Sequence, residues 1–197
     1  MKAPASKLFW NGKAPLVLAS ASPRRVAILR QAGAEFTVVD PGPDRGWPGE
    51  VEPRHGVRAL ALDKAKRVAA KKPQAVVIGA DTVVVIRGHR LGKPRDAEEA
   101  VAMLSKLQGR THEVWTGLAI VQGSDQRTAA ECTRVSFARL SPAELAAYVK
   151  SGEPLDKAGG YGIQGLAGQF IRRIEGDCFN VVGLPLARLR VLLREFA

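Results

Sequence analysis

The 197-residue chain lacks the residues that mark several common classes of protein. Two cysteines, Cys132 and Cys178, are too few for a disulfide framework, and neither has neighbouring ligands at zinc-site spacing. The three histidines, at positions 55, 89 and 112, lie far apart and form no metal motif. Disulfide-rich and zinc-binding scaffolds are therefore excluded.

Long apolar segments are missing as well. No stretch approaches the roughly 18 apolar residues that a membrane-spanning helix needs. The first residues, 1–13, carry charges and have no continuous apolar core, which argues against a signal peptide. The sequence therefore predicts a cytoplasmic protein with no membrane partner.

Acidic residues are fewer than basic residues. Lys and Arg number 30 against 19 Asp and Glu, which gives a net charge of +11 and predicts an affinity for anions. The basic residues are scattered, aromatics make up only 6% of the chain, and no nucleic-acid-binding motif is present. We therefore expect no specific nucleic-acid partner.

The hydrophobic pattern predicts interleaved strands and helices. The composition is globular, with 46% hydrophobic residues, and the length suits a single domain. Such an order favours a mixed sheet with helices packed around it, of α/β or α+β type. The predicted strands are 16–19, 36–39, 75–86 (broken at 79–82), 111–121, 128–140 and 170–174, and helices begin near residues 22, 53, 96, 141 and 185.

The segment Leu18–Arg25 predicts an anion site. It combines a strand end, a serine-rich turn, a proline and two adjacent arginines. Ser22 is expected to cap a helix whose first residue is Pro23. Free N–H groups, the helix dipole and the charges of Arg24 and Arg25 would then converge on a polyanion such as phosphate. The alternative is a capped helix with its arginines in solvent.

Asp81 is the second candidate. It lies inside a hydrophobic strand, where a carboxylate is costly to desolvate unless it is hydrogen-bonded, paired or bound to metal. Lys64, Lys93 and Lys157 are possible partners of opposite charge. The alternatives are an Asp that bonds only nearby N–H groups and a Lys64 on a solvated helix face.

A glycine-rich loop, 159–168, contains Gln164, whose amide can read the edge of a base. The loop also has a formal G-x-G-x-x-G pattern. A dinucleotide fingerprint follows a strand and opens a helix, whereas a strand follows this loop. We therefore interpret its glycines as permitting turns and the close approach of a ligand.

Taken together, these motifs resemble the Maf family of nucleoside triphosphate pyrophosphatases. The resemblance runs from about Leu16 to the last helix, nearly the whole chain. It rests on four ordered motifs and a fifth supporting segment, which are 18–25, 78–82, 91–94, 153–165 and 180–185.

The resemblance implies a fold and a reaction. The fold is α/β of Maf/inosine triphosphatase type, with a mixed, elongated sheet and flanking helices forming two lobes around a deep cleft. A single Maf-like domain would span 1–197, with a loose N-terminal extension at 1–14, and homodimers are frequent in the family. The implied enzyme is a metal-dependent nucleoside triphosphate diphosphatase, using Mg²⁺ or Mn²⁺, that cleans the nucleotide pool by releasing a monophosphate and pyrophosphate.

The resemblance also assigns residues. Asp81 matches the proposed proton acceptor and a metal ligand, and residues at five further positions line the triphosphate and metal site, namely Ser20, Arg24, Lys64, Lys93 and Lys157. The set Arg24, Thr82 and Gln164 resembles the type acting on dTTP and UTP, with CTP or modified pyrimidine nucleotides as further substrates.

One position departs from the family pattern. The family usually has two adjacent acids after the second strand, one of them a metal ligand, whereas this chain has Asp44 followed by Arg45. A cation in place of a carboxylate removes a hard oxygen ligand and adds repulsion toward Mg²⁺. We expect Asp44 to be the remaining metal ligand, with Asp40 or Glu50 as substitutes.

Two alternatives stay open. The first is a pyrophosphatase for purine or modified nucleotides such as ITP or 7-methyl-GTP. The second is a basic regulatory protein of cell division or DNA binding with weak catalysis, which only Arg45 favours.

Overall fold

The computed structural model describes residues 9–197. The expected N-terminal extension, 1–14, therefore lies mostly outside the described residues. In its described part, the indole N–H of Trp10 donates to the carbonyl of Ala14 at 3.1 Å.

Strands and helices interleave as the sequence predicts. The strands are β1 (Leu16–Ala19), β2 (Thr37–Val39), β3 (Val76–Ile86), β4 (His89–Leu91), β5 (Thr111–Gln122), β6 (Asp125–Phe137) and β7 (Ile171–Glu175). The helices are α1 (Pro23–Gln31), α2 (Pro53–Ala69), α3 (Ala97–Leu107), α4 (Pro142–Lys150), α5 (Cys178–Val182) and α6 (Leu186–Leu193). No described helix has the length and apolar character needed to cross a bilayer.

The strands form one seven-stranded mixed sheet. Its order is β2-β1-β3-β5-β6-β7, with β4 paired to β3. Strand β1 pairs in parallel with both β2 and β3, whereas β3–β4 and β6–β7 are antiparallel. This confirms the predicted mixed α/β fold with flanking helices.

The predicted break in β3 is wrong, because the strand continues through Gly79 and Asp81 for 11 residues. The absence of a side chain at Gly79 serves helix packing and does not interrupt the strand. A Cβ on it would overlap the backbone carbonyl of Ala61 and lie 3.0 Å from the Cβ of Ala65, both in α2. The glycine lets the helix backbone pack directly on the strand.

The chain divides into two compact units. Unit 1 takes in the described chain as far as Asp81, together with Thr116–Glu131 and Gly183–Ala197. Its core joins small and branched residues of β1, α2, β3 and β5, among them Val17, Ala61, Ala65, Val68 and Val77. The predicted single domain and cleft stay predictions.

Unit 2 comprises Thr82–Trp115 and Cys132–Val182. Its core packs α3 and α4 on the strands of this unit. His112, Phe137 and Tyr161 form an edge-to-face aromatic group there, with ring centroids 4.8 to 5.3 Å apart. The imidazole Nε2 of His112 and the hydroxyl of Tyr161 share a hydrogen bond of 2.7 Å.

Helix starts follow the expected capping chemistry in part. Ser141 and Glu144 form the full capping box of α4. At α3 the Asp96 carboxylate accepts from the N–H of Glu99, but the Glu99 carboxylate accepts from the N–H of Arg95 instead of returning to Asp96. At α3 the reciprocal bond of a capping box is therefore missing.

We expect His112 to make folding stability depend on pH. Burial lowers its pKa from 6.5 to about 4, so the unfolded chain binds a proton between these values that the folded protein does not. Stability is therefore retained above pH 6.5 and falls by about 3 kcal/mol as the pH drops to 4. Chemical unfolding of wild type and His112→Gln over this range tests this, and equal slopes in both proteins would contradict it.

Candidate functional site

The candidate site in unit 1 lies at the carboxyl ends of β1 and β2, where the parallel pairing of β1 with β3 also ends. The register places Ala19 of β1 beside Val39 of β2 on one side and Gly79 of β3 on the other. Ser20 follows β1 directly, and Asp81 comes two residues after Gly79. The chain leaves β1 toward β2, whereas β3 lies on the opposite side, which makes this a topological switch point. Open α/β sheets bind ligands at such points.

Lys64 joins the two predicted metal ligands. Its side chain is only 8% exposed, and its Nζ lies 2.6 Å from Oδ1 of Asp81 and 2.6 Å from Oδ1 of Asp44. The Asp81 side chain is 15% exposed and the Asp44 side chain 59% exposed. The alternative of Lys64 on a solvated helix face is wrong.

Strand geometry explains why Lys64 reaches Asp81. Alternate residues of a strand point to the same face, so Gly79 and Asp81 both face α2. The close approach of Ala61 and Ala65 at Gly79 brings the intervening helical turn, with Lys64, against the strand. The missing side chain at position 79 thus creates the room for the ion pair at position 81.

The loop that carries Asp44 is fixed by α2. Nη1 of Arg67 donates to the carbonyls of Pro41, at 2.5 Å, and Pro43, at 3.1 Å. Its Nε lies 3.0 Å from Asp63, whose other carboxylate oxygen is 3.1 Å from Arg45. The unexpected cation Arg45 is therefore paired with Asp63 and belongs to the structure of the loop.

Arg25 ties the switch point together. Its Nε donates to the carbonyl of Gly183 at 2.8 Å, and its Nη1 donates to the carbonyl of Ala80 at 2.9 Å and to the hydroxyl of Ser20 at 3.3 Å. Burial lowers the pKa of Arg25, and the nearby carboxylates Asp81 and Asp44 oppose this effect. The sequence predicted that both arginines of the motif face an anion. The Arg25 guanidinium instead donates to three protein oxygens.

The start of α1 differs from the prediction. Ser22 occupies the cap position, but its side chain makes no capping hydrogen bond. Its N–H donates to the hydroxyl of Ser20 at 3.2 Å instead. Pro23 does lie in the first helical turn, and Arg24 follows it, half-buried.

Unit 2 holds the other predicted site residues. Lys93 is exposed on the turn between β4 and α3, and the N–H of Gly159 donates to the carbonyl of the preceding Gly92 at 2.8 Å. This bond brings the glycine-rich loop to the Lys93 turn. Lys157 donates to the carboxylate of Asp156 at 2.6 Å. Gln164 is exposed, and Thr82 is half-buried on β3.

Two residues have roles in this architecture that the sequence did not indicate. One is Arg25, which was expected to face an anion and instead bonds protein oxygens. The other is Glu153, whose carboxylate accepts hydrogen bonds from the N–H of Leu166 at 2.8 Å and of Ala167 at 3.4 Å. Glu153 opens the motif 153–165, but that pattern does not show which backbone groups its carboxylate would meet.

Comparison with known proteins places this α/β architecture in a class and then in a family. The Staphylococcus aureus Ham1 protein superposes with a TM-score of 0.51 at 15% identity, covering 93% of this chain and 100% of that one, so the fold is shared. The model of the family described as Maf-like protein matches residues 15–196. The chain belongs to this family.

Curated relatives are similar over nearly their whole length. A protein of Symbiobacterium thermophilum is 50% identical over 181 residues, covering 92% of this chain and 93% of its own. One of Koribacter versatilis is 48% identical over 190 residues, covering 95% and 97%. Both are named dTTP/UTP pyrophosphatase.

We expect Arg25→Lys to lower the free energy of unfolding by about 2 kcal/mol, because one ammonium cannot replace a guanidinium that bonds three oxygens. Arg30→Lys is the matched control, since Arg30 lies exposed near the end of the same helix. Urea unfolding of both variants measures the difference. Equal stability of the two variants would show that the Arg25 contacts contribute little.

Proposed function

We propose that this protein is a nucleoside triphosphate pyrophosphatase that hydrolyses dTTP and UTP to the monophosphate and pyrophosphate. The observation that carries the proposal is the Asp44–Lys64–Asp81 group at the switch point, in a chain about half identical to relatives named for this activity. CTP and modified pyrimidine nucleotides belong to the same substrate class. The role would be to remove unwanted nucleotides from the pool.

In the proposed reaction, water attacks the α-phosphorus. The water oxygen bonds to phosphorus, the bond from phosphorus to the oxygen bridging to the β-phosphate breaks, and pyrophosphate leaves with that oxygen. Asp81 accepts the proton of the water, a task that suits a fixed carboxylate. Lys64, 2.6 Å away, orients this carboxylate and holds it in place.

The reaction asks the protein mainly for positive charge. A triphosphate brings several negative charges, and its transfer chemistry depends on positioning and electrostatic stabilisation. Arg24, Lys64 and Lys93 are proposed to offset this charge, with Ser20 at the strand end. Lys157 is proposed to contribute as well. Its ammonium would leave the carboxylate of Asp156 and pair with a phosphate of the substrate.

The donor set fits a divalent cation that enters with the substrate. Among residues 9–197 no group of three or more His, Cys, Asp or Glu side chains is arranged to hold a metal. Mg²⁺ is typically bound by one or two carboxylates together with substrate phosphates, and Asp44 and Asp81 supply that number. The cation, Mg²⁺ or Mn²⁺, would neutralise phosphate charge when bound.

Two further expectations belong to this proposal. A cytoplasmic location agrees with a nucleotide substrate and with two cysteines that form no disulfide. The homodimer is proposed from the family resemblance alone. Light scattering of the purified protein measures its mass directly.

Asp81→Asn should fold normally but lose activity with dTTP by about 100-fold or more, because an amide still accepts from Lys64 but takes no proton. Asp125→Asn, at an exposed position of β6, is the control for loss of a carboxylate. Pyrophosphate release is measured in both variants, with folding checked by circular dichroism. Near-normal turnover in Asp81→Asn would remove Asp81 from the mechanism.

Nucleotide selectivity separates this proposal from the two alternatives. Pyrophosphate release should be fastest with dTTP and UTP in a panel that also contains CTP, ITP and 7-methyl-GTP, and it should require Mg²⁺ or Mn²⁺. Gln164→Glu should reduce the use of dTTP by about tenfold, because a carboxylate loses the donor that pairs with a pyrimidine carbonyl.

The other outcomes of this panel are equally definite. Preference for ITP or 7-methyl-GTP would favour the purine or modified-nucleotide enzyme. Tight, salt-sensitive binding of duplex DNA without pyrophosphate release would favour the regulatory protein.

A further inference from the structure

The carboxylate of Glu153 lies at the centre of the glycine-rich loop in unit 2. Its Oε2 accepts the N–H of Leu166 at 2.8 Å, and its Oε1 accepts the N–H of Ala167 at 3.4 Å. Oε1 also accepts the hydroxyl of Tyr148 at 3.0 Å. One side chain therefore links the loop to helix α4, since it bonds Tyr148 on one side and Leu166 and Ala167 on the other.

The loop backbone passes so close to the Glu153 carboxylate that glycine is needed at the nearest position. A Cβ at Gly165 would overlap the carboxylate of Glu153, and a Cβ at Gly162 would lie 2.7 Å from Cε of Lys157. Lys157 in turn donates to the backbone carbonyl of Glu153 at 2.7 Å. The glycines that flank Gln164 are thus places where the backbone passes close to Glu153 and Lys157.

Tyr148 makes this anchor rigid. The tyrosine is 4% exposed and packs edge to face with Phe170 at 5.3 Å. Burial and the neighbouring Glu153 raise the pKa of Tyr148, so its hydroxyl keeps the proton and donates to the carboxylate. Glu153 therefore fastens the part of the loop that follows Gln164 to helix α4, while Gly159 and Tyr161 hold its beginning.

Gln164 has no comparable anchor of its own. It is exposed, and no hydrogen bond of its side chain occurs within the described part of the chain. It stands between Gly162 and Gly165, and glycine gives a backbone more freedom than any other residue. The position of the Gln164 amide therefore depends on what holds the backbone around it.

We propose that Glu153 is a positioning residue for nucleobase selection, holding the backbone of residues 162–167 so that Gln164 meets the base in one place. This inference rests on the proposed function, because Glu153 would act through Gln164 at the proposed nucleotide site. A loop that is ordered before binding does not lose conformational freedom when the substrate arrives, so preorganisation favours affinity. Glu153 should therefore affect the binding of the base more than the chemical step.

The expected kinetic effect is a change in KM rather than in kcat. Glu153→Gln keeps a single carbonyl acceptor, so we expect KM for dTTP to rise about tenfold with kcat within about threefold of wild type. Glu153→Ala removes all three hydrogen bonds and should raise KM further. In both variants the preference for dTTP over ITP should shrink, because a mobile amide discriminates less well.

Glu144→Gln is the matched control. Glu144 closes the capping box of the helix that carries Tyr148, accepting from the N–H and the hydroxyl of Ser141 at 2.7 and 2.8 Å. Within the described residues its side chain makes no hydrogen bond to the loop. It should lower thermal stability while leaving KM and nucleotide preference unchanged. A purely structural role for Glu153 would give the same result in both positions.

Amide hydrogen exchange gives a readout that does not depend on activity. The amides of Leu166 and Ala167 should exchange at least about tenfold faster in Glu153→Gln than in wild type, with α3 unaffected. Unchanged exchange in this segment, or faster exchange with wild-type KM and nucleotide preference, would overturn the inference. A fall in kcat at constant KM would overturn it as well.

The failures of the two proposals can be told apart. A wild-type protein that releases no pyrophosphate from any nucleotide refutes the proposed function and this inference with it. A wild-type protein that hydrolyses dTTP, with Glu153 variants of unaltered KM and selectivity, refutes only the role of Glu153.

Discussion

The arrangement of unit 1 depends on one buried ammonium between two carboxylates. A buried charge is costly to take out of water, and Lys64 offsets that cost only because Asp44 and Asp81 both lie 2.6 Å from its Nζ. The pairing is possible because α2 packs against the bare backbone of Gly79. A strand, a helix and a loop are thus held together by a single charge. The same contacts keep two hard oxygen donors beside the carboxyl ends of β1 and β2.

Both units use the same physical device around their candidate site residues. In unit 1, Arg67 donates to two carbonyls of the loop after β2 and fixes the approach of Asp44. In unit 2, Glu153 accepts two N–H groups of the glycine-rich loop and fixes the approach of Gln164. Loops that lack regular hydrogen bonding need such partners for their backbone groups. The ionisable residues nearest the site residues therefore serve backbone geometry as well as charge.

The position that departs from the family pattern has a structural explanation. Arg45 was expected to weaken a metal site by repulsion, since it stands where a second acid is usual. Its guanidinium instead pairs with Asp63, which also contacts Arg67. The Arg45 side chain is 68% exposed, and Asp63 offsets part of its charge. This leaves Asp44 and Asp81 as a compact pair of carboxylates around Lys64.

Local sequence determined most of the secondary structure, and tertiary contacts determined the site. The bounds of β1 and the starts of α2 and α4 followed from periodicity and helix-start residues, which act over a few positions. The motifs also singled out Asp81, Lys64 and Gln164. The continuity of β3, the donors of Arg25 and the anchor at Glu153 did not follow, because they depend on partners as far as 158 residues away along the chain. No local pattern encodes which carbonyl a folded chain brings to a guanidinium, since only packing selects that neighbour.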